Sequence, residues 1–72
     1  MWIYRSPIGK LIIKELKNGQ YGLFFKNQCY MAINDINAIA NNVYLQASGC
    51  TEWDLYQGNV DIPDNISEWE KG

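Results

Sequence analysis

Leu11-Ile12-Ile13-Lys14-Glu15-Leu16-Lys17-Asn18-Gly19-Gln20-Tyr21-Gly22-Leu23-Phe24-Phe25-Lys26 is the stretch on which the fold turns. Two apolar runs flank Asn18-Gly19, the strongest short hairpin signal, because a type I′ turn needs positive φ at both central residues. The reading is a hairpin of Leu11 to Leu16 against Tyr21 to Lys26. Successive side chains of a strand point to opposite faces. Leu11, Ile13 and Glu15 then point one way and Ile12, Lys14 and Leu16 the other, while Leu23 and Phe25 oppose Phe24 and Lys26. Neither strand alternates cleanly, so both faces of the sheet carry apolar residues. A sheet with one face on a helix and one in water shows a cleaner split. A further element, either the C-terminal segment or a partner, is therefore expected over part of the second face.

Upstream, Trp2 to Arg5 lead into Ser6-Pro7-Ile8-Gly9, where Pro presets the turn dihedral and Gly accepts positive φ, giving another hairpin. Downstream, Asn27-Gln28 forms a weaker turn before Cys29 to Ile33. Ile36, Ile39, Ala40, Val43, Tyr44 and Ala47 then recur at helical spacing, with Asn37, Asn41, Asn42 and Gln46 opposite. This predicts a helix over 35–48, with Asn34 as N-cap, Asp35 in the first turn and Gly49 at the C′ position. Beyond it, Glu52 to Tyr56 reads as a short strand or extended arm and Gln57-Gly58-Asn59 as a turn. Pro63-Asp64-Asn65 opens a terminal helical turn, in which Asn65 and Glu68 are spaced as a capping box before Trp69. The expected fold is α+β: an antiparallel meander of three to four strands packed on one α-helix, with an extended acidic C-terminal segment and a short terminal helical turn. Residues 1–72 form one small domain.

Composition narrows the function classes. Leu, Ile, Val and Phe make up 18 of 72 residues, above the roughly 20% below which chains tend to stay disordered. At this size folding buries only about 60% of the unfolded chain's surface, so each large ring counts. No apolar run reaches the roughly 18 residues of a membrane span, and MWIYRSPIGK lacks the pattern of a signal peptide, so the expected location is cytoplasmic. Cys29 and Cys50 are too few for a disulfide scaffold and are expected to be reduced and buried. With no His and no clustered acidic repeat, zinc, calcium and Ser-His or Cys-His catalysis fall away, and no cofactor is expected.

The net charge of −2 conceals an asymmetry. Residues 1–51 carry Arg5, Lys10, Lys14, Lys17 and Lys26 against Glu15 and Asp35, whereas residues 52–72 carry six carboxylates against Lys71. Glu52 and Asp54 flank Trp53 at a spacing a glycosidase could use, yet so short a chain has little means to build a sugar cleft, and a solvated acidic edge is the simpler reading. Tyr4, Tyr21, Phe24 and Tyr30, interleaved with Arg5, Lys14 and Lys26, have the composition of a nucleic-acid-binding sheet, but the sequence pI near 4.8 argues against it. The acidic end itself is the preferred contact surface. Glu52, Asp54, Tyr56, Asp61, Asp64, Glu68 and Glu70 mix negative charge with aromatic character suited to a protein partner or a homodimer. The expected function is a non-enzymatic protein-protein interaction module, a small adaptor or inhibitor. Intramolecularly, the same end is expected to fold back with Trp53 and Trp69 filling the second face of the sheet.

YRSPIG at Tyr4 to Gly9, the helix leading through Val43-Tyr44 to Ser48-Gly49, Glu52-Trp53-Asp54, and Ile66-Ser67-Glu68-Trp69-Glu70 give the chain a resemblance. Over most of its length it resembles a group of short bacterial proteins of unknown function carrying SP-x-G, TG, EWD and SEW elements. Ser48-Gly49 stands where those proteins have Thr-Gly. The resemblance implies a bacterial, cytoplasmic protein with an acidic C-terminal end, and brings no known activity or catalytic residues. A meander followed by a helix is also similar to the DNA binders of plants and of integrase arms that lay a sheet in the major groove. Those present several Arg and Trp from the sheet, which this sequence lacks.

Overall fold

The computed structural model describes residues 1–72. Strands β1 (Trp2–Ser6), β2 (Gly9–Glu15), β3 (Tyr21–Phe25) and β4 (Gln28–Ile33) form the antiparallel meander, followed by helix α1 (Ile36–Tyr44) and a one-turn helix α2 (Thr51–Asp54). A 3-10 turn at Ile66–Glu68 precedes a two-residue strand β5 (Glu70–Lys71), which pairs with β1 and completes a five-stranded sheet of order β4-β3-β2-β1-β5. The fold is α+β with five strands, not the expected three to four. Two residues carry no period, so β5 had no signature to read.

The turns differ from expectation in detail. The Asn18-Gly19 hairpin forms with both residues at positive φ (73° and 72°), but its loop is the three residues Lys17–Gly19, because Leu16 donates its amide to the Gln20 carbonyl at 2.7 Å. The next turn lies one residue earlier than read. Lys26 and Asn27 occupy the left-handed region (φ 51° and 65°) between the paired Phe25 and Gln28. Further along, Phe24 pairs with Cys29 but Leu23 with Met31, so Tyr30 is the extra residue of a bulge.

The helix is shorter than 35–48. Its N-cap is Asp35 rather than Asn34, since the Asp35 carboxylate accepts the amides of Asn37 and Ala38. At the other end the Gln46 amide donates to Val43 O and the Ala47 amide to Asn42 O, a Schellman closure with Gln46, not Gly49, in the left-handed C′ position (φ 54°). What holds a non-glycine there is its side chain. Gln46 Nε2 donates to the carbonyls of Trp53 (2.9 Å) and Tyr56 (2.7 Å), joining the end of α1 to α2. Residues 51–54 are thus helical rather than the strand or arm expected.

Residues paired across an antiparallel ladder share a face, and the register assigns the paired residues. Trp2, Tyr4, Leu11, Ile13, Tyr21, Leu23, Phe25, Met31 and Ile33 lie on one face; Ile3, Arg5, Lys10, Ile12, Lys14, Gly22, Phe24, Cys29 and Ala32 lie on the other. The core is built on the first face, where Leu11, Ile13, Leu23 and Phe25 meet Ile39, Ala40, Val43, Cys50, Trp53 and Trp69. Cys50 is buried as expected, but Cys29, on the second face, is exposed; both are free thiols.

Both C-terminal tryptophans therefore join the helix side, which overturns the expectation that they fill the second face. Tyr4 decides this, with its ring 5.7 Å from that of Trp53 and 5.9 Å from that of Trp69. The physical reason is area. A nine-residue helix is only about 13 Å long, whereas five strands span roughly 19 Å. One such helix cannot close the face, and residues 50–69 complete it.

Candidate interaction surface

The carboxylates of the acidic end are largely engaged within the chain. Asp54 binds the Ser48 amide (2.9 Å) and hydroxyl (2.8 Å) through one oxygen and the Gly49 amide (2.9 Å) through the other. Ser48 is fully buried, and its hydroxyl also accepts the Cys50 amide. Trp53, between Glu52 and Asp54, donates Nε1 to the Val43 carbonyl at 2.9 Å. Ser48-Gly49 and Glu52-Trp53-Asp54 are thus one structural unit that closes the loop after α1, with Asp54 facing inward.

Glu52 pairs with Lys26 at 3.1 Å, and Glu70 with Arg5 at 3.1 Å. The hydrogen bond and charge of Arg5 hold the Glu70 carboxyl below its ordinary pKa. Tyr56 is half-buried and stacked on Trp53 at 6.0 Å. Burial, followed by the charges of Tyr56 and Asp61, raises the Tyr4 pKa, while Asp61 itself is exposed. Asp64 and Glu68 converge across Asn65, whose Nδ2 donates to both, and the hydrogen bond and charge of Asp64 raise the Glu68 pKa. Asn65 caps the 3-10 turn by accepting the Ser67 amide, but the Glu68 side chain meets the Asn65 side chain rather than its backbone amide, so half of the capping box forms. Of the seven predicted contact residues, only Asp61, Asp64 and Glu68 are exposed carboxylates without a cation partner.

The second face of the sheet is the other candidate. Ile3, Ile12 and Phe24, from adjacent positions on β1, β2 and β3, form a partly buried apolar stripe across it. Phe24 and Leu16 close over Gly22, where a Cβ would lie 2.8 Å from the Phe24 ring and 3.0 Å from Leu16. Lys14 places its ammonium 5.0 Å from the centre of the Phe24 ring, a cation–π contact whose aliphatic stem also shields the stripe. Arg5, Lys10 and Lys14 border the stripe, and Glu70, paired with Arg5, is the one carboxylate on this face. At one end of the sheet a cavity of about 280 Å³ is lined by Gly9, Lys10, Ile12, Phe25, Lys26 and Asn27.

Sequence reasoning missed Ile3, Lys10 and Ile12 as surface residues. The signal was present in the unbroken run Leu11-Ile12-Ile13, which puts apolar residues on both faces. It became misleading once a cover was assumed for each. Of the four aromatics proposed for a nucleic-acid face, Tyr4 and Tyr21 point to the helix side, Tyr30 at the bulge packs against the core, and Phe24 lies on the second face. No three Cys, Asp or Glu side chains converge as metal ligands would, and no helix is long and apolar enough to cross a membrane. No family model, curated protein or solved structure matches the chain.

Proposed function

We propose that this chain is a non-enzymatic, cytoplasmic protein-binding module, an adaptor or inhibitor, whose working surface is the sheet face opposite the helix and whose partner presents an acidic surface. The observation that carries the reading is the one-sidedness of the core. Helix α1, Trp53 and Trp69 all lie on one side, and the Ile3–Ile12–Phe24 stripe is only partly buried between Arg5, Lys10 and Lys14. An apolar centre with a charged rim has the anatomy of a protein interface. Self-pairing through this face sets Lys10 and Lys14 of one copy against those of another, which like-charge repulsion disfavours. Nucleic acid is disfavoured because stacking needs several free aromatic faces, and the single ring here already carries the Lys14 ammonium. The acidic end is the weaker candidate, since Asp54, Glu52 and Glu70 are occupied internally. The likeness to short bacterial proteins is consistent with this setting, although the Ser48-Gly49, Trp53 and Trp69 elements behind it serve folding.

The test is affinity capture of a defined partner from a bacterial lysate, repeated with purified components. Binding should weaken at high salt and be lost on Ile12→Ser with Lys14→Glu, while Asp61→Lys with Asp64→Lys leaves it intact. The reverse pattern would move the function to the acidic end. Tight retardation of single-stranded RNA abolished by Lys14→Glu would assign the face to nucleic acid, and a concentration-dependent dimer lost on Ile12→Ser would assign it to a second copy.

A further inference from the structure

The two edges of the sheet are unlike. One is β5, only Glu70 and Lys71, both charged, beside the unpaired end of β1 that carries Arg5. The other is β4, six residues with no charge and no proline. Natural sheets guard an edge with charge, proline, a bulge or a cover, because unpaired amides and carbonyls there recruit another strand. Of the six Lys and Arg and eight Asp and Glu in the chain, only Asp35 falls between Asn27 and Thr51, and its carboxylate is taken up in capping α1.

The phase of the ladder identifies the unpaired groups. Bonded pairs alternate along antiparallel strands. The Leu16 amide bonds the Gln20 carbonyl, so Gly22 and Phe24 bond to β2, and Tyr21, Leu23 and Phe25 direct their backbone groups to β4. Gln28, Met31 and Ile33 answer those groups, whereas Cys29 and Ala32, opposite Phe24 and Gly22, turn amide and carbonyl to the open edge. No turn or loop backbone bonds them. Between the two lies the Tyr30 bulge, where Gly49 runs so near the Tyr30 carbonyl that a Cβ would lie 3.3 Å from it. The open part of the edge is therefore centred on Ala32, which is exposed.

Helix α1 adds an uncharged flank beside this edge. Asn42 Nδ2 lies 3.6 Å from Met31 Sδ, which sets that side of α1 next to β4. Ala38 and Leu45, four residues before Asn42 and three after it, share the flank, and Leu45 is 60% exposed.

We propose that the Ala32 section of β4 pairs with the same section of a second copy of this chain, antiparallel about a two-fold axis, so that two five-stranded sheets become one. In such a contact each patch meets itself, and a charged patch would face its own charge. The β4 edge and the Ala38–Asn42–Leu45 flank carry none, and an amide such as that of Asn42 both donates and accepts. Every copy brings the matching strand. The axis stands perpendicular to the sheet, so both helices lie on one side and both Ile3–Ile12–Phe24 stripes on the other. The pairing uses no stripe residue and is independent of the sheet-face reading.

The test is sedimentation equilibrium of the full chain from micromolar to millimolar concentration, with amide exchange measured at both ends of the range. The mass should rise from 8.3 kDa towards twice that value. Ala32→Lys, which puts a charge on the edge, should hold the chain at the monomer mass. Ala32→Pro, which removes the outward amide and is tolerated on an edge strand, should do the same. Ile12→Ser should leave the dimer intact. Circular dichroism checks that each variant is folded, and Ala32→Lys decides alone if the proline variant is not. Exchange of the Ala32 amide should slow about tenfold when about nine-tenths of the chain is dimeric. A monomer at every concentration, a dimer that survives Ala32→Lys or is lost on Ile12→Ser, or an Ala32 amide indifferent to concentration would overturn the edge pairing.

Discussion

Ile12 and Ile13 are neighbours in β2, yet Ile13 is fully buried and Ile12 only partly so. The same holds for Phe25 and Phe24 in β3, the first 2% exposed and the second on the surface beneath Lys14. The two faces of this sheet are built from similar residues on the same strands, and they differ in what is available to cover them. One short helix and residues 50–69 suffice for one side only, and they are concentrated there because Tyr4 offers both tryptophans a ring to pack on. A hydrophobic residue in a strand therefore reports that a face could be buried, not that it is.

That contrast can be broken most sharply at Trp53. The ring is wholly buried and hydrogen-bonded. Trp53→Ala should cost about 3–5 kcal/mol, a large part of the roughly 5–15 kcal/mol available to a domain, so chemical denaturation should show loss of a cooperative transition. Trp69→Phe should cost less, because the buried Trp69 Nε1 has no hydrogen-bond partner and its removal relieves an unpaired donor. A larger loss for Trp69→Phe than for Trp53→Ala would contradict this account of the closed face.

Asp54 comes next. Asp54→Ala leaves the Ser48 amide and hydroxyl and the Gly49 amide without their acceptor. At about 1.5–3 kcal/mol for hydrogen bonds to a charged group, denaturant unfolding should show a loss of about 2–3 kcal/mol. A variant as stable as the parent would mean that the carboxylate is available for contact after all. Both changes act on the closed side.

The smallest effects compare one carboxylate from each side. On the open face Glu70 is held low by Arg5, so its contribution is present above the unfolded carboxylate pKa and lost as pH falls through the folded value. On the helix side Asp64 raises Glu68, so that pair is unfavourable at neutral pH and relaxes as pH falls through the raised value. At pH 7, Glu70→Gln should lower the melting temperature slightly and Glu68→Gln should raise it slightly. Both differences should close as the pH falls, that of Glu68→Gln first, through its raised pKa, and that of Glu70→Gln only below the ordinary carboxylate range. Thermal melts across this range that gave the two variants the same sign at pH 7 would refute the assignment.

Much of the fold was legible locally. The Asn18-Gly19 hairpin, the SPIG turn and the Ile39, Ala40 and Val43 stripe are properties of short segments whose backbone chemistry admits few alternatives. The helix end was misread because Gly49 is the better intrinsic left-handed residue, whereas Gln46 takes the position through two side-chain bonds to a segment seven to ten residues away. The candidate site was less legible still. Glu52, Asp54 and Glu70 look like a surface in the sequence because charge is usually solvated, and only their partners at Lys26, Ser48-Gly49 and Arg5 reveal otherwise.

The sequence alone determined an antiparallel meander, a single main helix and an excess of apolar residues over what one sheet face can use, because turns and periodicities are local. Tertiary structure alone decided which face received the cover, since that depends on the area one helix can supply and on where two tryptophans find an aromatic partner. The part of the apolar excess that is only partly covered is the surface on which the proposed function rests.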